Sequence, residues 1–428
     1  MTEVIMNNIL ILIAAAKIVF IFTLVLSFVP ILIWLERKGA AYIQDRRGPN
    51  RASILGIRLG GVIHSLADAL KLFFKEELIA GPSFKPLFYL APIVAFFVAT
   101  ATMAIIPFTE NILINGQNFC LQIANLEVGL IYVFALSALG VFATLMAGWA
   151  ACGKYSVLGA LRASSQMISY ELAMGLAVLS IFLLAGSLNL QDIISDQGPQ
   201  VWRWNIVRQP LAFIIFLVAL FAETNRLPFD LAEAESELVA GYHTEYSSMK
   251  FALFFMSEYA HMIIGSLIIA TLFLGGWQIP FISSDFLFKH ADQILFRGSF
   301  LVAILLVIIG SLLMSRFQKI YQDLRDYEPV IIGGFFVLIG LALLAGWIIL
   351  QNMGFWQNLP AWAGAVSISL IQLGVMLFKA FIFCLFFIWV RWTLPRFRYD
   401  QLMRLGWKMM IPLGIVNTLV TSAVIVFG

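Results

Sequence analysis

The sequence predicts an all-α polytopic membrane protein with about ten transmembrane helices. Two observations carry this prediction. Of 428 residues, 61% are hydrophobic and 12% charged, with a mean hydropathy of +0.93, whereas soluble domains run at roughly 45–50% apolar and about 25% charged. So much apolar surface exceeds what one soluble core hides, and lipid must cover it. The apolar residues also fall into runs of the length a bilayer needs, about 20 residues per helix.

The runs lie near 8–33, 86–107, 126–148, 167–186, 209–225, 250–274, 298–315, 331–350, 363–390 and 409–427. The first is too long for the core of a signal peptide, and no small-residue cleavage site follows it, so it is expected to remain as the first helix. Pro107 is expected to close the second span. Pro210 and Pro412 fall in first turns, where proline is tolerated. The whole chain, 1–428, reads as a single helical membrane domain.

Orientation follows from Lys and Arg, which concentrate in cytoplasmic loops. With the N-terminus outside, the outer loops hold only Arg203, Arg208, Lys289 and Arg297. Lys17 and Lys379 lie within spans, and the other 21 of the 27 Lys and Arg fall on the inner side. Both termini are therefore expected on the outer side, with four long inner loops and a short one. The net charge of +3 reflects this asymmetry rather than nucleic-acid binding. No internal repeat is visible, which argues against an inverted-repeat carrier.

The first inner loop has its own pattern. Across 54–75, Arg58, His64, Ser65, Asp68, Lys71 and Lys75 recur every three or four residues. Leu59, Val62, Ile63, Leu66, Leu70 and Phe73 fill the other side. This predicts an amphipathic helix lying in the membrane interface, either a plain surface anchor or part of a site.

Several chemistries find no support. Cys120, Cys152 and Cys384 are far apart, and the four histidines, His64, His243, His261 and His290, are scattered, so no iron–sulfur or metal site is expected on this chain. No glycine-rich nucleotide motif is present. Redox cofactors would have to lie on other chains.

The polar residues that remain gather at the inner ends of the helices. Glu36, Arg37 and Lys38 precede QDRRGPNR at 44–51, where Gly48-Pro49-Asn50 signals a turn. Charges beside a membrane are commonly snorkelling anchors. Lys154 to Arg162 leads to Gln166, Ser169, Tyr170 and Glu171, with Arg162, Gln166 and Ser169 on one helical face. Glu171 reads either as a snorkelling end residue or as a functional carboxylate.

Glu223 closes the fifth run and is followed by Arg226, Asp230, Glu233, Glu235, Glu237 and Glu245. On a helix Asp230, Glu233 and Glu237 share one face, and such like charges are destabilising unless partnered, hydrated or protonated. A solvated acidic loop is the plainer alternative. Glu258 stands about eight residues, roughly 12 Å, into an apolar span, with Tyr259 beside it and His261 one turn on. An ionisable group there is costly and points to a proton path or a paired site, against the alternative of a structural hydrogen bond. Lys17 and Lys379 are the other ions within spans.

These clusters, in order, resemble the quinone-site membrane subunit of proton-pumping NADH:quinone oxidoreductase (respiratory complex I), the NuoH or mitochondrial subunit 1 family. The resemblance rests on Glu36-Arg37-Lys38, QDRRGPNR at 44–51, ADALKLFFKE at 67–76, GKYSVLGALR at 153–162 and ISYE at 168–171. It continues through ETNRLPFDLAEAESELVAGYHTEYS at 223–247 and RWTLPRFRYDQLM at 391–403. It implies a chain at the junction of the peripheral and membrane arms, whose inner loops help form the quinone tunnel. Glu36, Arg37, Arg46, Asp68 and Arg162 match the tunnel and its entrance. Glu171, Glu223, Asp230, Glu233, Glu235, Glu237, Glu245 and Glu258, supported by Arg226 and Tyr259, match an acidic path from the quinone cavity into the membrane.

The resemblance also implies the surroundings. Quinone is the substrate, bound together with partner subunits, and no FMN, iron–sulfur cluster or metal sits on this chain. The partners are peripheral-arm quinone-site subunits, small membrane subunits, antiporter-like subunits and the lipid bilayer, with no nucleic acid. The location is a bacterial inner membrane with both termini periplasmic. A related subunit of a membrane-bound hydrogenase or ferredoxin-driven complex is the alternative, and a stand-alone secondary transporter a more distant one.

The chain departs from the family in one respect, since the family usually has eight helices. The surplus runs are 298–315 and 331–350, and residues 291–355 read as an inserted transmembrane hairpin. It is apolar nearly all round and has no mid-span charge, and charged residues cluster at its inner turn (Arg316, Lys319, Asp323, Arg325, Asp326 and Glu328). That pattern predicts a peripheral element facing lipid or a partner.

Overall fold

The computed structural model describes residues 2–54, 57–79, 81, 83–114, 117–231, 239–315, 327–353 and 361–427. The chain runs through α1 (Thr2–Ile43), α2 (Ile63–Phe74), α3 (Lys85–Thr102), a small hairpin of β1 (Ile112–Ile114) and β2 (Gln117–Phe119), α4 (Gly129–Ala151) and α5 (Lys154–Ala185). It continues through α6 (Leu190–Gln197), α7 (Asn205–Arg208), α8 (Pro210–Glu223), α9 (Ser248–Phe273) and α10 (Ser284–Lys289). The last elements are α11 (Ala291–Ser315), α12 (Glu328–Asn352), α13 (Ala361–Thr393), α14 (Tyr399–Leu405) and α15 (Ile411–Phe427). Among the described residues, nine helices are long and apolar enough to cross a membrane, α14 and α15 counting as one. The fifth expected span is the shorter α8, which makes the tenth apolar helix. The chain is an all-α multi-pass membrane protein.

Burial sorts the helices. The most apolar stretch of α9 is 72% buried, against 11% for α11 and for α12. Thus α9 runs through the middle of the bundle and the α11–α12 pair lies at its edge. The main core joins Val25 and Leu32 of α1, Ala173 and Ala177 of α5, Ala219 of α8, Leu267 of α9 and Phe387 of α13. Small residues let the central helices approach closely, as is usual between membrane helices. A Cβ on Gly265 of α9 would lie 2.5 Å from the Leu220 side chain on α8. A second core of Phe88, Ala147, Ala160, Tyr242 and Phe254 ties α3, α4 and α5 to the segment before α9.

Three local expectations change. The link between α4 and α5 is only Cys152 and Gly153, so Lys154 and Arg162 belong to a helix rather than a loop. Cys152 ends α4 in the left-handed conformation, at φ 55°. The tight turn depends on glycine, because a Cβ on Gly148 would lie 2.3 Å from that of Ala160. The amphipathic helix begins at Ile63, not near 54, because Leu59, Gly60 and Gly61 all have positive φ. A Cβ on Gly61 would fall 2.1 Å from the Pro49 carbonyl oxygen, so this turn is pressed against the GPNR segment.

Proline accounts for the third change and for one expectation that holds. The second span ends at Ile105, just before Pro107 as expected, and Ile106 is extended (ψ 118°), the conformation a residue preceding proline prefers. Pro412 is the second residue of α15 but not in the first turn of its span, because the apolar helix runs on from Tyr399. The turn before it, Gly406–Met410, is wound as a π-helix. Such a bulge lets a proline, which lacks an N–H, sit inside a continuing helix.

Candidate functional site

The centre of the site is Glu36, on the last turns of α1 and only 6% exposed. Its Oε2 accepts hydrogen bonds from the Arg226 guanidinium at 2.7 Å and the Tyr259 hydroxyl at 2.8 Å. Its Oε1 accepts one from Arg391, at the C-terminal end of α13. Arg226 is 3% exposed and lies 4.1 Å above the Tyr259 ring. Burial alone would lower the pKa of this guanidinium, but the Glu36 carboxylate outweighs it and holds Arg226 above its ordinary range. A buried charge is tolerated when paired and hydrogen-bonded, and here two arginines and a phenol surround one carboxylate. Four distant segments meet at this point: the end of α1, the turn after α8, the middle of α9 and the end of α13.

The segment after α8 is held by its neighbours. Gln166, fully buried on α5, donates from Nε2 to the carbonyls of Ala222 at 2.7 Å and Phe229 at 2.8 Å. Asp230 accepts from Arg396 at 3.0 Å. Glu233, Glu235 and Glu237 lie outside the described residues. Glu245 is half-buried beside the α4–α5 turn, where a Cβ on Gly153 would lie 3.4 Å from its carboxylate.

Glu223, the last residue of α8, accepts from the Ser137 hydroxyl of α4 at 2.5 Å. It lines two small cavities of about 40 and 30 Å³, and Thr224 and His261 line both of them as well. Glu258 lines the second. Glu171 of α5 is within electrostatic reach of Glu223, and Glu258 of Arg226. A water needs about 10–15 Å³ of such space and two to four polar partners, so each cavity has room for a few waters among hydroxyls, carboxylates and an imidazole.

On the other side of Glu36, Arg37 pairs with Asp68 of α2. The pair stands at one end of an apolar pocket of about 350 Å³ between α1, α2 and α9, walled by Val29, Ile33, Leu66, Phe73, Ala252 and Phe255 among others. Arg46 is exposed, bonds Gln44 at 2.8 Å, and lines a separate basic recess of about 520 Å³ with Arg37, Arg47 and Trp392. Arg162 is half-buried on the third turn of α5, away from both pockets.

Sequence reasoning gave no role to Arg391, Arg396, Ser137 or His261, and noticed Gln166 only as part of a helical face. The one available signal was the basic RWTLPRFR segment, which matches the excess of carboxylates elsewhere. Lys379 finds no carboxylate partner among the described residues. It donates to the carbonyls of Leu274, Gly276 and Gln278 at 2.7–2.9 Å and lies 4.5 Å over the Trp204 ring. It closes the end of α9 structurally.

The fold and site define a multi-pass helical membrane protein built around buried, ion-paired carboxylates with an apolar pocket alongside. A family profile described as NADH dehydrogenase matches residues 16–422. An NADH-quinone oxidoreductase subunit of Cytophaga hutchinsonii is 38% identical over 407 residues, 95% of this chain and 94% of that protein. The corresponding NADH-quinone oxidoreductase subunit of Solibacter usitatus is 39% identical, covering 96% of each chain. Subunit 8 of the NADH-quinone oxidoreductase of Rhodothermus marinus is 37% identical, over 92% of this chain and 91% of its own length. The chain belongs to the NADH dehydrogenase family, as one of the NuoH-type membrane subunits of NADH-quinone oxidoreductase.

Proposed function

We propose that this chain helps form the quinone-binding tunnel of a proton-translocating NADH:quinone oxidoreductase and couples quinone reduction to proton movement. In this reading the apolar pocket between α1, α2 and α9 is where a hydrophobic quinone leaves the lipid, with Arg37 and Asp68 at its polar end. Glu36, Arg37, Arg46, Asp68 and Arg162 serve the tunnel and its entrance. Glu171, Glu223, Asp230, Glu233, Glu235, Glu237, Glu245 and Glu258 carry or sense protons, with Arg226 and Tyr259 as support. The redox cofactors, FMN and iron–sulfur clusters, belong to other subunits. Those partners are the peripheral-arm quinone-site subunits, small membrane subunits and antiporter-like subunits. The complex sits in a bacterial inner membrane, both termini of this chain being periplasmic.

The observation that carries the reading is the Glu36 cluster. One carboxylate is bonded on one side to Arg226 and Tyr259, next to Glu258, while its neighbour Arg37 faces the apolar pocket. A change of charge in the quinone cavity therefore acts on Arg226 and, through it, on Glu258, Glu223 and Glu171. Burial and nearby negative charge bring carboxylates toward working pH, which lets them hold or release protons with little driving force.

The test replaces Glu223 or Glu258 by Gln in a complex that still assembles. Gln keeps the shape but carries no proton. Proton pumping coupled to quinone reduction should fall at least tenfold in both variants, while Glu127→Gln at the outer side changes little. Unchanged protons per electron in both inner variants would leave these carboxylates as structural pairs. Copurification with a hydrogenase large subunit, and no quinone reduction, would place the chain in the hydrogenase-type relative instead.

A further inference from the structure

The α11–α12 pair is more than an edge ornament, because one of its residues reaches back to the segment that carries the interfacial helix. Glu328, at the head of α12, is only 7% exposed although its helix is mostly uncovered. Its carboxylate accepts from the backbone N–H of Arg58 at 3.2 Å, from the backbone N–H of Gly60 at 3.3 Å and from Arg58 Nε at 2.9 Å. Arg58 is right-handed helical in its backbone and Leu59 left-handed. That succession turns backbone N–H groups into a concave anion-binding turn, and Glu328 fills it.

The same turn is held from the opposite side. Trp34 of α1 donates to the Gly60 carbonyl at 3.0 Å. Two residues after Gly61 the chain enters α2, whose Ser65 donates to the Pro30 carbonyl at 3.1 Å and whose Asp68 pairs with Arg37. The outer face of α2 is open: Leu66, Leu70 and Phe73 are each more than half exposed while also lining the apolar pocket. The wall of the pocket is thus an amphipathic helix whose leading end is clamped between α1 and the hairpin.

The two helices of the hairpin are closely packed against each other. Ala303 and Gly310 on α11 meet Gly333 and Gly340 on α12, each pair seven residues apart on its helix. A Cβ on Gly310 would lie 2.6 Å from the Gly333 carbonyl oxygen, and one on Gly340 would lie 2.9 Å from that of Ala303. Trp347 of α12 further donates to the Phe296 carbonyl of α11 at 3.0 Å.

We propose that the α11–α12 hairpin latches the mouth of the apolar pocket: Glu328, seated in the Arg58–Gly60 turn, positions α2 and so governs access of a hydrophobic ligand to the pocket. Glu328 is a positioning residue in this scheme. The identity of the ligand as a quinone rests on the reading given above, but the latch itself does not.

The experiment uses the assembled complex in lipid nanodiscs and compares Glu328→Ala, Glu328→Gln and Arg58→Gln. Hydrogen–deuterium exchange over residues 58–74 is the first readout. Removing charged hydrogen bonds of this kind should speed exchange there by about tenfold or more in Glu328→Ala. Arg58→Gln keeps both backbone bonds to Glu328 and should show a smaller rise. The second readout is turnover with a decyl-substituted quinone, where KM should rise several-fold with kcat changed less. Unchanged exchange over 58–74 in an assembled Glu328→Ala complex overturns the latch. Faster exchange with unchanged kcat/KM overturns its role in access. If Glu328→Ala fails to assemble, the Gln variants carry the same two readouts. A wild-type complex that reduces no quinone sinks the quinone reading, while the exchange result still decides the latch.

Discussion

At the residue scale the site is governed by what it costs to leave a charge alone. Glu36 and Arg226 are both almost fully buried and bonded to each other. Breaking such a pair from one side typically costs about 3–5 kcal/mol, because the other charge is stranded. We expect either change to lower the melting temperature of the complex or prevent its assembly: Glu36→Gln leaves the buried Arg226 facing a neutral amide, and Arg226→Met leaves Glu36 with only Arg391 and Tyr259. Glu36→Gln should in addition be severe for quinone reduction. Melting curves and turnover of the two variants check this, and wild-type stability for both would contradict it. Cys120 presents a second case. Burial pushes its thiol up to about 11, so at pH 8 far less of it is thiolate than in an ordinary cysteine. We expect N-ethylmaleimide to leave Cys120 unmodified in the folded complex at pH 8, whereas the exposed Cys152 reacts. Mass spectrometry after labelling distinguishes the two.

At the element scale, close approach is set by small residues. In the α11–α12 hairpin a leucine at position 310 has no space, since even a Cβ there sits 2.6 Å from the Gly333 carbonyl oxygen. Gly310→Leu should splay the hairpin while leaving the central core intact, because that core is built from α1, α5, α8, α9 and α13. The expected result is an assembled complex with faster amide exchange across 291–352 and, through Glu328, across 58–74. Failure of the core to fold would mean the hairpin is not a separable element. Other parts of the elements were legible early. Glu223 ends α8 and Pro210 begins it, as the run of apolar residues and the proline suggested. The start of α2 was not legible, because the helical spacing of Arg58 to Lys75 continues through Gly60 and Gly61, and only the contact of Gly61 with Pro49 shows why the helix cannot. Periodicity reports where a helix would be amphipathic, not whether the backbone is free to take it.

At the scale of the whole molecule, the Lys and Arg asymmetry sets an orientation that labelling can check. In that orientation Asp285, exposed in the segment between α9 and α11, would lie on the outer side. An Asp285→Cys variant should react with a membrane-impermeant maleimide added to spheroplasts. Labelling only in inverted vesicles would reverse the topology. The fold class, the succession of spans and the ordered motifs all came from the sequence, because lipid exposure imposes long apolar runs and charge asymmetry that are local properties of the chain. What only the tertiary structure decided is who meets whom. Glu36 with Arg226, Tyr259 and Arg391, Asp230 with Arg396, Lys379 with three carbonyls and Glu328 with the Arg58 turn join residues from about 100 to more than 350 positions apart. Ion pairing acts through space at a few ångströms, and sequence spacing carries no trace of such distances once the helices between them have folded.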